Sequence, residues 1–152
     1  MTHILRTDSS NIDFRHLVAL LDEHLWILDG DDHAFYAQFN KIDMLKNAVV
    51  YYIAEQPVSC GAFKEVEPGK VEIKRMYTIP EQRGKRIGEE ILRELEKWAA
   101  ELNYTEAILE TGRKQPYAIR LYERAGYQLI DNFGQYKEDP NSICFAKSLA
   151  GQ

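Results

Sequence analysis

Two cysteines in 152 residues, Cys60 and Cys144, are too few and too far apart for a disulfide framework or a Cys-x-x-Cys site. A reducing, cytoplasmic setting is therefore expected. No apolar run approaches the roughly 20 residues of a membrane-spanning helix, and the opening MTHILRTDSS lacks the pattern of a secretory leader. No membrane association is expected. Base is scarcer than acid: 19 Lys and Arg stand against 24 Asp and Glu, a formal net charge of −5. That balance argues against nucleic acid as a partner, because such binders present a broad basic face. The histidines are equally uninformative for metal. His3, His16, His24 and His33 all lie in the N-terminal third, with no HxxxH or HExxH pair and no cysteine nearby. Asp31, Asp32 and His33 read as an exposed turn before a helix, so no metal is expected.

What remains is an ordinary globular composition, 45% hydrophobic and 28% charged, long enough for a real core. Without repeats, low-complexity segments or linker-like stretches, residues 1–152 are expected to form a single domain. HILRT (3–7) reads as a strand. Phe14, Leu17, Leu20, Leu21, Leu25 and Leu28 recur at helical spacing over 13–28, and a second short helix is expected over 33–44. Residues 48–56 and 59–67 read as strands joined through the turn-forming QPVS, EPGK (67–70) as a tight turn, and 71–79 as a strand ended by Pro80. A long helix, a strand at 105–111, a short helix, and strands near 127–131 and 143–148 follow. Strands first together and then alternating with helices indicate an α+β, or mixed α/β, domain.

The long helix should bury a stripe of Ile87, Ile91, Leu95, Trp98 and Leu102. The turn into it, Arg83-Gly84-Lys85-Arg86-Ile87-Gly88, gathers three cations and two glycines in an otherwise acidic chain. Backbone N–H groups at a helix start attract anions, and glycine lets the backbone approach a phosphate closely. A solvated basic turn is the competing account. Neither a Walker loop nor a GxGxxG fingerprint is present, which weakens a nucleotide-binding reading.

This stretch resembles motif A, the coenzyme A pyrophosphate loop of the GNAT superfamily of N-acetyltransferases, with Arg86 standing where the family usually has glycine. QPYAIRLYERAGYQLI (115–130) resembles motif B of the same family: Ala118, Tyr122, Gly126 and Tyr127 fall on its positions, and Gln115 replaces the usual Asn. The order of elements over about residues 48–148 also follows the family. The resemblance implies a central mixed, mostly antiparallel sheet flanked by helices, with acetyl-CoA as cosubstrate and an amine as acceptor. It places cofactor contacts at Met76, Tyr77, Thr78, Arg83, Gly84, Lys85, Arg86, Ile87, Gly88 and Gln115. A backbone N–H near Met76 or Tyr77 would hold the oxyanion.

The same resemblance gives Glu72 the role of general base and Tyr122 that of proton donor to the departing thiolate. The residues themselves leave alternatives open. Glu72 also suits a cross-strand ion pair, and Glu110, at the end of the strand 105–111, competes as base or stands as a solvated strand end. Tyr122 lies on the stripe Ala118, Leu121, Tyr122, Ala125, where it also reads as a core tyrosine with a locally satisfied hydroxyl, and Tyr127 reads as packing. On strand 71–79, Glu72, Lys74, Met76 and Thr78 are expected on one face and Val71, Ile73, Arg75 and Tyr77 on the other. The aromatic loop FGQY (133–136) reads as a hairpin connection or as a border of the acceptor site. The rival to catalysis is a coenzyme A-binding sensor of the same fold, and a homodimer is left open.

Overall fold

A computed structural model describes residues 1–29 and 44–150. The helix expected over 33–44, apart from Met44, and the Asp31-Asp32-His33 turn lie outside these residues. The described elements are β1 (Thr2–Thr7), α1 (Ile12–Asp29), β2 (Asn47–Ile53), β3 (Gln56–Glu67), β4 (Lys70–Thr78), α2 (Ile87–Glu101), β5 (Glu106–Gly112), α3 (Pro116–Arg124), β6 (Gln128–Ile130) and β7 (Ser142–Ser148). The strands form one sheet in the order β1-β2-β3-β4-β5-β7-β6. β4 and β5 run parallel, with α2 as the crossover that a parallel pair requires. The pairs β1–β2, β2–β3, β5–β7 and β6–β7 are antiparallel. This is the mixed, mostly antiparallel α+β architecture that the element order indicates. None of the described helices is long and apolar enough to cross a membrane.

The chain divides into two compact units, Met1–Phe63 with Arg75–Leu95 and Lys64–Lys74 with Glu96–Gln152. In the first, α1 starts where the Asn11 side chain accepts the Phe14 N–H at 2.9 Å, an N-cap that satisfies one orphan donor. Its Phe14, Leu17 and Val18 then pack against Ala48, Val50, Tyr52, Cys60 and Ala62 of β2 and β3. The β2–β3 turn falls at Ala54-Glu55, two residues before the expected QPVS, and both take left-handed φ (50° and 67°). Such a two-residue turn matches the twist of its strands, which a turn through Pro57 would not. Pro57 instead lies within β3 beside a register shift, where a missing N–H is tolerated.

Helix α2 buries Ile87, Ile91, Leu92, Leu95 and Ala99. Leu102, expected on that stripe, is 47% exposed beyond the helix end, and Trp98 is half-buried. Steps of four residues drift by about 40° each in a helix of 3.6 residues per turn, so the buried face passes to Leu92 and Ala99. The helix comes close to β3 at Gly61. A Cβ there would lie 2.6 Å from the Met76 Sδ and 2.9 Å from side-chain carbons of Ile91 and Leu95.

In the second unit, β5 pairs with β4 from Lys70↔Glu106 to Ile73↔Leu109 and with β7 along its length. Partnering of Glu72 with Ile108 and of Glu110 with Cys144 sets these four residues on one face. The EPGK turn is present, with Gly69 at φ +83°. Pro116 occupies the first turn of α3 and Gly126, at φ +97°, follows its end, the usual asymmetry of these two residues. Glu96 of α2 is buried to 3% exposure but well supplied: the Tyr127 hydroxyl donates to it at 2.9 Å and Lys147 lies 2.8 Å away. Tyr127 therefore packs, as expected, and also partners a buried charge.

Gly61→Ala should destabilise the fold by about 1–3 kcal/mol, since three packed side chains must yield together. Urea denaturation checks this, and a change within a few tenths of a kcal/mol would show that the α2 side chains adapt freely.

Candidate functional site

The loop into α2 lies in the first unit. β4 ends in a single 3-10 turn over Pro80–Gln82, closed by the Arg83 N–H on the Pro80 carbonyl at 3.2 Å. Gly84 then takes φ +81° and Arg86 φ +63°. Arg86, where the motif usually has glycine, holds the left-handed conformation itself, at a cost of about 1–2 kcal/mol. A Cβ at Gly84 would meet nothing within 4 Å, so its dihedral, not its space, asks for glycine. Left-handed residues in a turn can direct successive N–H groups to one side, the geometry used by anion-binding concavities. Behind them α2 opens with N–H groups that have no acceptor a turn earlier, and its helical ladder starts with Glu90 N–H on Arg86 O at 3.3 Å.

The cations of this loop are exposed and locally tethered. Arg83 donates from Nε to the Thr78 carbonyl at 2.9 Å and lies over the Tyr77 ring, Lys85 donates to Gln82 at 2.9 Å, and Arg86 reaches Glu89 at 3.5 Å. Ile87 is buried and anchors the helix start, while Gly88 is half-buried.

Strand β4 departs from the expected alternation. Arg75 has φ +62°, a left-handed residue inside a strand, and such a break interrupts the period of two. Glu72, Lys74, Met76 and Thr78 therefore do not form one continuous face. Met76 directs its Sδ toward Gly61, among Ile91 and Leu95, whereas Tyr77 packs on the α1 core. Ser59 fastens the strand end, donating to the Tyr77 carbonyl at 2.8 Å with the Thr78 Oγ1 also 2.8 Å away.

The candidate acid–base residues all lie in the second unit. Glu72 is 4% exposed, and burial raises its pKa above the ordinary carboxylate value against the opposing pull of Lys74, Lys64 and a hydrogen bond from Tyr136. That bond, hydroxyl to carboxylate at 3.4 Å, stands beside the charge of Lys64 on β3, the cross-strand partner type that was the alternative for Glu72. Glu110 is half-buried and accepts from the Ser142 hydroxyl at 2.7 Å, so it is no solvated strand end.

Tyr122 is the one buried residue of α3, its ring set against Tyr127 and Phe145 at 5.9 and 6.2 Å. Burial and the charge of Glu110 raise its phenol pKa well above the usual value, so it stays protonated. Among the described residues its hydroxyl has no hydrogen-bond partner, unlike those of Tyr127 and Tyr136. Gln115 caps α3 through its backbone and makes no side-chain cap bond.

Tyr136 was not singled out from the sequence. Its loop, FGQY, stood out as aromatic and polar, but an irregular segment has no period to say which ring turns inward. Neither cysteine is placed for nucleophilic work: burial pushes the Cys60 thiol up to about 12 and the Cys144 thiol up to about 11. Among the described residues, no group of three or more His, Cys, Asp and Glu side chains could hold a metal ion.

Comparison with known proteins bears on these features together. An N-acetyltransferase of Bacillus subtilis, itself uncharacterised, is 29% identical over 143 residues, 89% of this chain and 93% of the relative. A crystal structure from Klebsiella pneumoniae, described as an acyl-CoA N-acyltransferase, superposes with a TM-score of 0.82 at 32% identity, covering 98% of each chain. The fold is shared with the paiA N-acetyltransferase of Thermoplasma acidophilum, solved in complex with coenzyme A, at 18% identity and a TM-score of 0.73 over 97% of this chain and 99% of that one. Residues 10–127 match the acetyltransferase (GNAT) family, and with that match spanning both the loop into α2 and Tyr122, the chain belongs to this family of acetyltransferase enzymes.

Proposed function

We propose that the protein transfers the acetyl group of acetyl-CoA directly to a primary amine, with its two units serving one catalytic domain. The observation that carries this reading is the pair of left-handed residues, Gly84 and Arg86, at the N-terminus of α2 in a member of the acetyltransferase family. Their N–H groups, the helix dipole and Arg83, Lys85 and Arg86 suit the pyrophosphate of coenzyme A. The coenzyme A complex of a protein of the same fold supports the choice of anion. Met76, Tyr77 and Thr78, at the end of β4, and Gln115, at the start of α3, are the further contacts proposed for the cofactor.

The chemistry follows from the charges involved. An alkyl ammonium with a pKa of about 10.4 must lose a proton at neutral pH, a step worth roughly 4–5 kcal/mol. Glu72 is suited to accept it, because burial raises its proton affinity. Glu110, which accepts from the Ser142 hydroxyl at 2.7 Å, is the competing base. The freed amine attacks the thioester carbonyl, and a backbone N–H at Met76 or Tyr77 stabilises the oxyanion. As the C–S bond breaks, Tyr122, protonated and without a hydrogen-bond partner among the described residues, donates its proton to the thiolate. No covalent enzyme intermediate is needed.

Gly84→Val forces a β-branched residue into a left-handed conformation, and acetyl-CoA affinity should fall by about tenfold. Calorimetry on the folded variant checks this, and unchanged affinity would remove the loop from the site. Glu72→Gln should lower turnover near neutral pH by about a hundredfold. Because Glu72 accepts a proton only when ionised, the parental rate should fall as pH drops through its raised pKa. The variant should lose that dependence and recover in part at high pH. Should Glu110→Gln behave this way instead, the base is Glu110. Tyr122→Phe should reduce turnover by about ten- to a thousandfold with little change in acetyl-CoA affinity, and less so for a thioester with a more acidic thiol. Normal turnover in that variant would leave Tyr122 a packing residue.

A further inference from the structure

The loop joining β6 to β7 is built with more care than a connection between strands requires. Asn132 donates from its side-chain amide to two carbonyls, those of Tyr136 and Asp139, both at 3.1 Å. Inside it the Gly134–Tyr136 turn closes with Tyr136 N–H on Phe133 O at 2.9 Å and Asp139 N–H on Tyr136 O at 3.0 Å. Its far end is tied to the residue after β5, where Arg113 gives its backbone N–H to Asn141 at 2.8 Å and its Nε to Pro140 at 2.7 Å. The product of this bracing is one inward side chain. Tyr136 is 3% exposed, stands edge-on to Phe133, and donates its hydroxyl to Glu72.

We propose that Tyr136 is the positioning residue of the proton-accepting carboxylate, its hydroxyl orienting Glu72 and holding it ionised on the face of β4. This rests on the reading of Glu72 as the base. Glu72 is faced by Lys64 of β3 and Lys74 of its own strand, which favour its charge, and by Glu110 of β5 and the Cys144 thiol of β7. With Glu110 on the same face, a donor that stays a donor is needed beside Glu72. Tyr136 meets that condition: burial and the two carboxylates raise its phenol pKa far above the usual value, so it keeps its proton and can only donate. A bond of 3.4 Å is long for two oxygens, as is common for such contacts before substrate binds.

Tyr136→Phe keeps the ring against Phe133 and removes only the donor. Without it, Glu72 should bind its proton more tightly, and its titration, followed by the carboxyl 13C shift in the folded protein, should move to higher pH. The acid limb of the acetyl-transfer rate should move with it, giving a loss of about tenfold near pH 6 that shrinks to within about twofold near pH 9. An unchanged Glu72 titration, or a rate reduced by the same factor at every pH, would overturn the proposal and leave Tyr136 as packing. The Glu72→Gln enzyme separates this from failure of the underlying reading. If its rate keeps the parental acid limb, Glu72 is not the base, while the 13C titration still decides whether Tyr136 governs the Glu72 charge.

Discussion

A single backbone conformation in β4 governs what the strand can present. Arg75, with its left-handed φ, is held against a cost of about 1–2 kcal/mol by its surroundings. Its side chain is buried with Asp22 of α1 3.7 Å away, and its carbonyl takes the Cys60 thiol at 3.3 Å. Before this point the strand follows the β5 register and turns Glu72 to the face of Glu110 and Cys144. After it the strand turns Met76 toward α2 and Tyr77 toward α1. Breaks of this kind re-aim side chains, and here the residues before and after Arg75 turn to different neighbours.

The second governing feature is the management of buried negative charge. Glu72, Glu96 and Glu110 each have a specific hydroxyl donor: Tyr136, Tyr127 and Ser142. The partners differ in kind. Glu96 has a lysine at 2.8 Å as well and so sits in a close buried ion pair. Glu72 feels the charges of Lys74 and Lys64 and has a longer hydroxyl contact, 3.4 Å from Tyr136.

Much of this was legible in the sequence where periodicity or a fixed backbone demand leaves a mark. The seven strands, the long helix, Pro116 and Gly126 bracketing α3, and the left-handed Gly84 all carry such marks. What could not be read depends on pairing across the chain. Nothing in VEIKRMYTI announces that Arg75 is left-handed, because alternating residues look the same with or without the break. The β2–β3 turn was misplaced because Pro57 is a turn former by composition, while Ala54 and Glu55 are not, and only the strand register forces them into left-handed φ. Leu102 was drawn on the buried stripe because steps of four look helical until their drift accumulates. Tyr136 needed the loop itself.

Arg86 has a further consequence. Glycine would hold its left-handed φ with less strain, yet the chain places there a cation, 71% exposed and 3.5 Å from Glu89, in a protein whose net charge is −5. A backbone concavity grips an anion only on contact, whereas an exposed charge acts across a Debye length, about 8 Å at physiological ionic strength. For an anion approaching this loop, such a charge acts before contact, against the repulsion of the molecule as a whole. Any effect of Arg86 on anion association should therefore weaken as salt rises, with conformational comfort exchanged for reach.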